Sequence, residues 1–181
     1  WRVKRKAPYF SILPTATQYA RNALFAGLNP AEIARVHPQW WTDERDEGGK
    51  NNHEQELFEA LLKRMGYSQR SAYFKVIRHD YGRKFVDQFH TTKENGVTAV
   101  VYNFVDQLSH ARTDSDVIKQ LTEGEAGYRS LTASWFKNST LREAMDRMAE
   151  AGARVIVTTD HGTIRVEDSV VVRGERDTNT N

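Results

Sequence analysis

The sequence predicts an α/β protein in which a mostly parallel sheet is sandwiched by helices. Two observations support this class. Short and nearly continuous apolar runs recur along the chain, which is typical of strands that are buried on both faces. Helical patterns separate these runs, and strands that alternate with helices form parallel crossover units. The chain has 181 residues, 39% of them hydrophobic and 28% charged, so it is long enough for one sizeable core.

Four apolar runs predict buried strands, and a fifth predicts an edge strand or hairpin arm. The buried strands are expected at Tyr9–Leu13, Tyr73–Ile77, Val97–Val105 and Arg154–Thr159, and the edge strand at Ser169–Gly174. Helical patterns lie between the first four, at Gln18–Gly27, Asn52–Met65, about Asp114–Thr122, and Ser139–Gly152. The last of these has Ser139 as its expected N-cap and Gly152 as its stop. The charged loop 38–52 is too long for a plain connection and is predicted to be mobile or functional.

Composition narrows the class of protein. No run approaches the length of a membrane span, and the basic opening "WRVKRK" lacks the apolar region of a signal peptide. There is no cysteine, which excludes disulfides and thiolate metal sites and makes the cytoplasm the expected compartment. A formal charge of only +2 argues against a large non-specific nucleic-acid surface. Both ends are abrupt, so we expect residues 1–181 to form one domain that is incomplete at both ends.

Polar side chains follow three of the predicted strands. Ligands bind beyond the carboxyl ends of parallel strands, and there the sequence places the turn "PTAT", Asp106, and the adjacent pair Asp160 and His161. His110 follows Asp106 by four residues, a spacing that places both side chains on one side of a helix. Carboxylate and imidazole ligands suit zinc, manganese or iron. Each pair also has a plain explanation, as a solvated carboxylate beside a capping histidine or as an ordinary turn.

The "PTAT" turn leads into a predicted helix, and it allows two interpretations. Thr15 or Thr17 is an N-cap, or Thr17 is a nucleophile beside the N–H groups of the first helical turn. The tryptophans Trp40 and Trp41 likewise either pack against the domain or stack on a base.

Several strings together resemble the alkaline phosphatase superfamily, and more closely its PglZ-domain branch, as found in PorX-type response regulators. They are "SILPTATQYARNALFAGL", "EGGKNN", "VYNFVDQLSHART", "YRSLTASWF" and "TTDHGTIRVED" with "VVVRGERDTNTN". The resemblance spans essentially the whole chain. It implies an alkaline-phosphatase-like fold, two metal ions, usually zinc, and a threonine that forms a covalent phospho-enzyme.

The resemblance also assigns roles to residues. Thr17 matches the nucleophile, Asp106 and His110 match the ligands of one metal, and Asp160 and His161 match those of the other. It further implies an aspartate ligand just before Trp1 and a histidine ligand beyond Asn181. Four residues are weaker candidates for binding a substrate phosphate or base, although a charge near a loop is most often only solvated. They are Arg21, Lys50, Asn51 and Arg112.

The function implied by the resemblance is hydrolysis of phosphodiesters, plausibly small cyclic or linear oligonucleotides. The chain would then be the output domain of a two-component response regulator linked to type IX protein secretion. Regulatory protein partners and dimerisation through regions outside this chain would follow, and no membrane is involved. The alternative is a non-catalytic regulatory module that binds a nucleotide or a partner protein.

Overall fold

The computed structural model describes residues 1–43, 46–122, 124–162 and 170, without the side chains of 79 and 112–114. Within them the chain contains ten regular elements. They are α1 (Thr17–Ala26), α2 (Pro30–Val36), α3 (Glu54–Arg64), β1 (Ser71–Val76), α4 (His79–Asp87), β2 (Val97–Tyr102), α5 (Phe104–Asp114), α6 (Asp116–Leu121), α7 (Gly124–Asn138) and α8 (Thr140–Glu150). Short 3-10 turns lie at Pro38–Trp40 and Phe89–Thr92. Among these elements no helix is long and apolar enough to cross a membrane.

Two parallel strands confirm the predicted α/β class. β1 pairs with β2 from Ser71 opposite Val97 to Val76 opposite Tyr102. The chain between them contains α4, so the unit is a crossover of the predicted kind. β2 is shorter than the predicted strand, because α5 already begins at Phe104.

The predictions of strands at Tyr9–Leu13 and Arg154–Thr159 are wrong. Both segments lack backbone ladder pairing in the described part of the chain. Their side chains are also not buried on both faces, since Phe10 is fully exposed and Val157 is 84% exposed. An apolar run becomes a strand only where a neighbouring strand accepts hydrogen bonds from its N–H groups and donates to its C=O groups. The predicted edge strand Ser169–Gly174 lies outside the described residues.

The chain divides into two compact units. One comprises Trp1 and Gln69–Ile156, and the other comprises Arg2–Ser68 and the described residues from Val157 onward. The first unit has a core of buried apolar side chains from α4, its following turn and α8: Phe85, Val86, Phe89 and Ala144. The second has a core around Ala26, Ile33 and Leu57.

The tryptophans of loop 38–52 belong to that second core. Trp40 and Trp41 pack against the cluster, and Trp41 donates its indole N–H to Asp43 at 2.8 Å. The packing interpretation of this pair is therefore correct.

The helix predictions hold for four segments, with one detail changed. Ser139 occupies the N-cap position of α8 as predicted, but its hydroxyl donates to the Phe136 carbonyl instead of capping the helix. Helices α2, α4 and α7 were not expected from the sequence, and α5 was expected only as one of two possibilities, a helix or a tight turn after Asp106. α2 carries a signal that could have found it, namely Pro30 at the first position and a capping box between Asn29 and Glu32.

Candidate active site

Thr17 is the first residue of α1, and its hydroxyl does not cap the helix. The N-cap is Ala16, and no side chain makes a capping hydrogen bond there. The interpretation of Thr15 or Thr17 as an N-cap is therefore wrong. The Thr17 Oγ1 instead lies 3.3 Å from Nε2 of His161. A hydroxyl at this position also lies beside the unpaired N–H groups of a helix N-terminus, which favour an anion.

The other ring nitrogen of His161 fixes how the imidazole faces Thr17. Nδ1 lies 3.1 Å from the carbonyl oxygen of Gly162. Because a carbonyl only accepts, this contact assigns the proton to Nδ1 and leaves the lone pair of Nε2 directed at Thr17. Nε2 can then accept the Thr17 proton or bind a metal ion.

Asp160 supplies a carboxylate with unused bonding capacity. Its Oδ2 is buried and has no hydrogen-bond partner in the part of the chain that the structure describes. It lies 3.9 Å from His161 Nε2, and the Asp160 side chain is only 17% exposed. Leaving a buried charged oxygen unpaired costs free energy, which a bound cation would recover. The oxygen and nitrogen donors of this pair fit zinc or a related metal.

Two residues of the opening segment hold the backbone of the Asp160 region. The Tyr9 hydroxyl donates to the Thr159 carbonyl and lies 2.8 Å from the Thr158 hydroxyl. Ser11 donates to the Asp160 carbonyl at 2.6 Å. Both residues were predicted to lie in a strand, and their contacts with the Asp160 region were not predicted. The available signal was the alternation of polar and apolar side chains in "YFSI".

Asp106 and His110 form the second candidate pair. Both lie on α5, one turn apart, with Asp106 Oδ1 3.7 Å from His110 Nε2. The predicted placement on one side of a helix is therefore confirmed. The two side chains are exposed, 47% and 79% respectively. Arg112 follows on the same helix, and its side chain lies outside the described residues.

The metal-ligand candidates occur as pairs. Asp106 and His110 belong to the first unit, and Asp160 and His161 belong to the second with Thr17. Within the described ranges there is no group of three or more histidine, aspartate or glutamate side chains placed to hold one ion. The further aspartate and histidine implied by the resemblance remain predictions.

Comparison with protein-family models identifies the family of this chain. The family model of the BREX system PglZ alkaline phosphatase-like domain matches residues 1–181. The chain belongs to this PglZ family. No curated protein matches it. The match confirms the alkaline-phosphatase-like recognition, while the likeness to response regulators stays a prediction.

In this PglZ domain Asn51 holds the start of α1, the helix that begins at Thr17. Its side-chain amide donates to the Thr17 carbonyl at 3.2 Å and to the Asn22 side chain at 3.1 Å. Asn22 is 1% exposed and donates to the Lys50 carbonyl at 3.0 Å. These hydrogen bonds connect the first two turns of α1 to Lys50 and Asn51, which precede α3. Asn51 thus contacts the backbone of Thr17, and its weaker candidacy as a substrate ligand stays a prediction.

The other weak substrate candidates of the second unit also have partners. Arg21 pairs with Glu54, whose side chain is 1% exposed. The Lys50 ammonium donates to the backbone carbonyls of Asp43 and Asp46. Both cations therefore stabilise the folded chain next to Thr17.

Proposed function

We propose that this PglZ domain is a metal-dependent phosphoesterase that cleaves small phosphodiesters with Thr17 as its nucleophile. One observation supports this most: the Thr17 hydroxyl is free of capping and lies 3.3 Å from Nε2 of His161. Nε2 is the ring nitrogen that would hold a metal ion beside this hydroxyl, an arrangement that would activate a weak nucleophile.

The reaction would proceed by in-line attack. The Thr17 oxygen forms a bond to phosphorus while the bond from phosphorus to the leaving oxygen breaks, and the leaving group departs as an alcohol after taking up a proton. The intermediate is a phosphodiester of Thr17 that keeps the second ester group of the substrate; water hydrolyses it, releases a phosphomonoester and restores the hydroxyl. The N-terminus of α1 would favour the anionic phosphoryl group, and Asn51 would keep Thr17 in place through its carbonyl.

The residues present fit metal ligands. Asp160, with its unpartnered buried Oδ2, and His161 would hold one ion together with Thr17, and Asp106 and His110 would hold a second. Zinc in such sites supplies Lewis-acid stabilisation of charge on the phosphoryl oxygens. Asp160 and His161 would also orient Thr17, because the ring faces its hydroxyl.

The wider context is proposed from the resemblance described above. The substrates would include small oligonucleotides, and the domain would serve as the cytoplasmic output of a response regulator linked to protein secretion.

Hydrolysis of bis(p-nitrophenyl) phosphate in the presence of zinc tests the catalytic proposal. Thr17→Ala should abolish release of nitrophenolate, whereas Thr15→Ala, at an exposed neighbour, should not. Mass spectrometry of acid-quenched wild type should show a phosphoryl adduct on the peptide that contains Thr17. Equal hydrolysis by Thr17→Ala and wild type would refute the proposal.

A further inference from the structure

The start of the chain is a basic segment, which we define as Arg2–Lys6. Four of its five residues are cationic, namely Arg2, Lys4, Arg5 and Lys6, and the first acidic residue of the chain is Glu32. The small net charge of the whole chain hides this local concentration of positive charge.

All four cations of the basic segment are available to a partner. Each is exposed, and none forms an ion pair with another residue in the described ranges. Two aromatic residues, Tyr9 and Phe10, follow after Ala7 and Pro8. Phe10 is fully exposed, and Tyr9 is 56% exposed although its hydroxyl is bound. Proteins bind single-stranded nucleic acid with two components: cations that contact the phosphates and aromatic rings that stack on the bases.

The chain that follows the basic segment is anchored beside the candidate active site, at Tyr9 and Ser11. Ser11 donates to the Asp160 carbonyl, and Tyr9 contacts Thr158. Lys6 precedes Ser11 by five residues, so at most about 17 Å of extended chain separates them. A polyanion held by the basic segment is therefore within a short span of Asp160 and, through His161, of Thr17.

We propose that the basic segment binds single-stranded nucleic acid, with its four cations on the phosphates and Phe10 stacked on a base. The direction of the strand toward Thr17 and the preference for a single strand over a membrane rest on the proposed function, whereas the contacts of the four cations and Phe10 are argued independently of it. A single strand suits this surface better than a membrane does, because the segment ends at a candidate site for phosphodiesters.

Fluorescence anisotropy with a labelled oligothymidylate tests the binding. In the test variant Arg2, Lys4, Arg5 and Lys6 are all changed to Gln; in the matched control four exposed lysines of the other unit are changed to Gln, namely Lys84, Lys93, Lys119 and Lys137. Loss of four phosphate contacts should make the slope of log affinity against log salt less negative by about 3 and weaken binding at least about tenfold. The control, with the same change in net charge, should bind within about twofold of wild type.

Phe10→Ala separates stacking from charge. It should weaken binding of oligothymidylate by about fivefold or more and leave binding of an abasic oligomer unchanged. The basic-segment proposal is overturned if wild type does not bind oligothymidylate, if the control loses as much affinity as the test variant, or if phosphatidylserine vesicles bind the segment more tightly than the oligomer. Thr17→Ala should bind normally. If wild type binds oligothymidylate but does not hydrolyse bis(p-nitrophenyl) phosphate in the presence of zinc, the proposed function is refuted and this inference is supported.

Discussion

The hydroxyl of Thr17 and Nε2 of His161 lie 3.3 Å apart, although 144 residues separate them in sequence. The contact joins the N-terminus of α1 to the segment held by Tyr9 and Ser11. Two hydrogen-bonded supports thus converge on one nucleophile candidate: Asn51 fixes the helix backbone, and Ser11 fixes the backbone beside the imidazole. Rigid support of this kind is what positions a reacting group.

Removal of the Asn51 amide should slow catalysis without unfolding the protein. We expect Asn51→Ala to lower kcat by about tenfold or more and to change KM little, because the amide binds the Thr17 carbonyl and positions the hydroxyl. Steady-state kinetics with bis(p-nitrophenyl) phosphate measure both constants. Asn138→Ala is the control, since that exposed side chain donates to the Ser134 carbonyl of its own helix and is remote in sequence from Thr17. A rise in KM alone would assign Asn51 to substrate binding instead.

Asp160→Asn should have opposite effects in the two metal states. Without metal, the change removes the charge of a carboxylate whose buried Oδ2 has no hydrogen-bond partner in the described residues, so stability should stay equal or rise. With zinc, the loss of a ligand should weaken binding at this site by about 100-fold and reduce the zinc-dependent rise in Tm, the remainder coming from an ion at Asp106 and His110. Scanning calorimetry with zinc or with a chelator measures both. Asp87→Asn, at an exposed position, serves as control. An unchanged zinc response in Asp160→Asn would show that Asp160 is not a ligand.

The strands were predicted correctly where two apolar runs pair with each other in the sheet. The run from Tyr73 and the run from Val97 pair together as β1 and β2. Equally apolar runs at Tyr9 and Arg154 do not pair in the described residues, because periodicity reports burial and not the presence of a neighbour. Helix α7 was missed because Gly127 and several β-branched or polar residues weaken its pattern.

The candidate site was predicted better than the strands that were used to find it. The sequence pointed to Thr17, Asp160 and His161 because each follows an apolar run, and the structure brings them together without a strand at either place. The supports of the site could not be predicted in this way. Asn22 and Asn51 act through backbone carbonyls of residues distant in sequence, and no local pattern encodes such contacts.

Glu54→Gln should be strongly destabilising. Glu54 is 1% exposed and pairs with Arg21, so the substitution removes the negative charge that faces a largely buried guanidinium, at a cost of about 3 to 5 kcal/mol. Urea unfolding followed by circular dichroism measures the change. Glu125→Gln is the control, because its pair with Arg129 is about three-quarters exposed, and the expected loss there is below about 0.5 kcal/mol. Equal effects of the two changes would contradict the buried pair.

The carboxyl of Glu143 should titrate at unusually low pH. The hydrogen bond from Arg83 at 2.8 Å, with a second from Arg147 at 2.9 Å, holds the pKa of Glu143 below its usual range. A lowered folded-state pKa stabilises the fold above the unfolded-state pKa, and this stabilisation is lost as pH falls through the folded-state value. Carbon-13 NMR titration measures it. Arg83→Gln should raise the pKa of Glu143, whereas Arg142→Gln should not, because Arg142 pairs with Asp146.

Gly27→Ala and Gly66→Ala separate backbone strain from steric overlap. Both glycines have positive φ, 58° and 72°, which costs any L residue about 1 to 2 kcal/mol. At Gly27 an added Cβ would also lie 2.8 Å from Leu61 Cδ1, against α3, whereas at Gly66 nothing lies within 4 Å. We therefore expect Gly27→Ala to destabilise the fold by about 1 to 3 kcal/mol more than Gly66→Ala in urea unfolding. Equal losses would mean that α1 and α3 can move apart, and that Thr17 rests on a less rigid support than the packing of these two helices indicates.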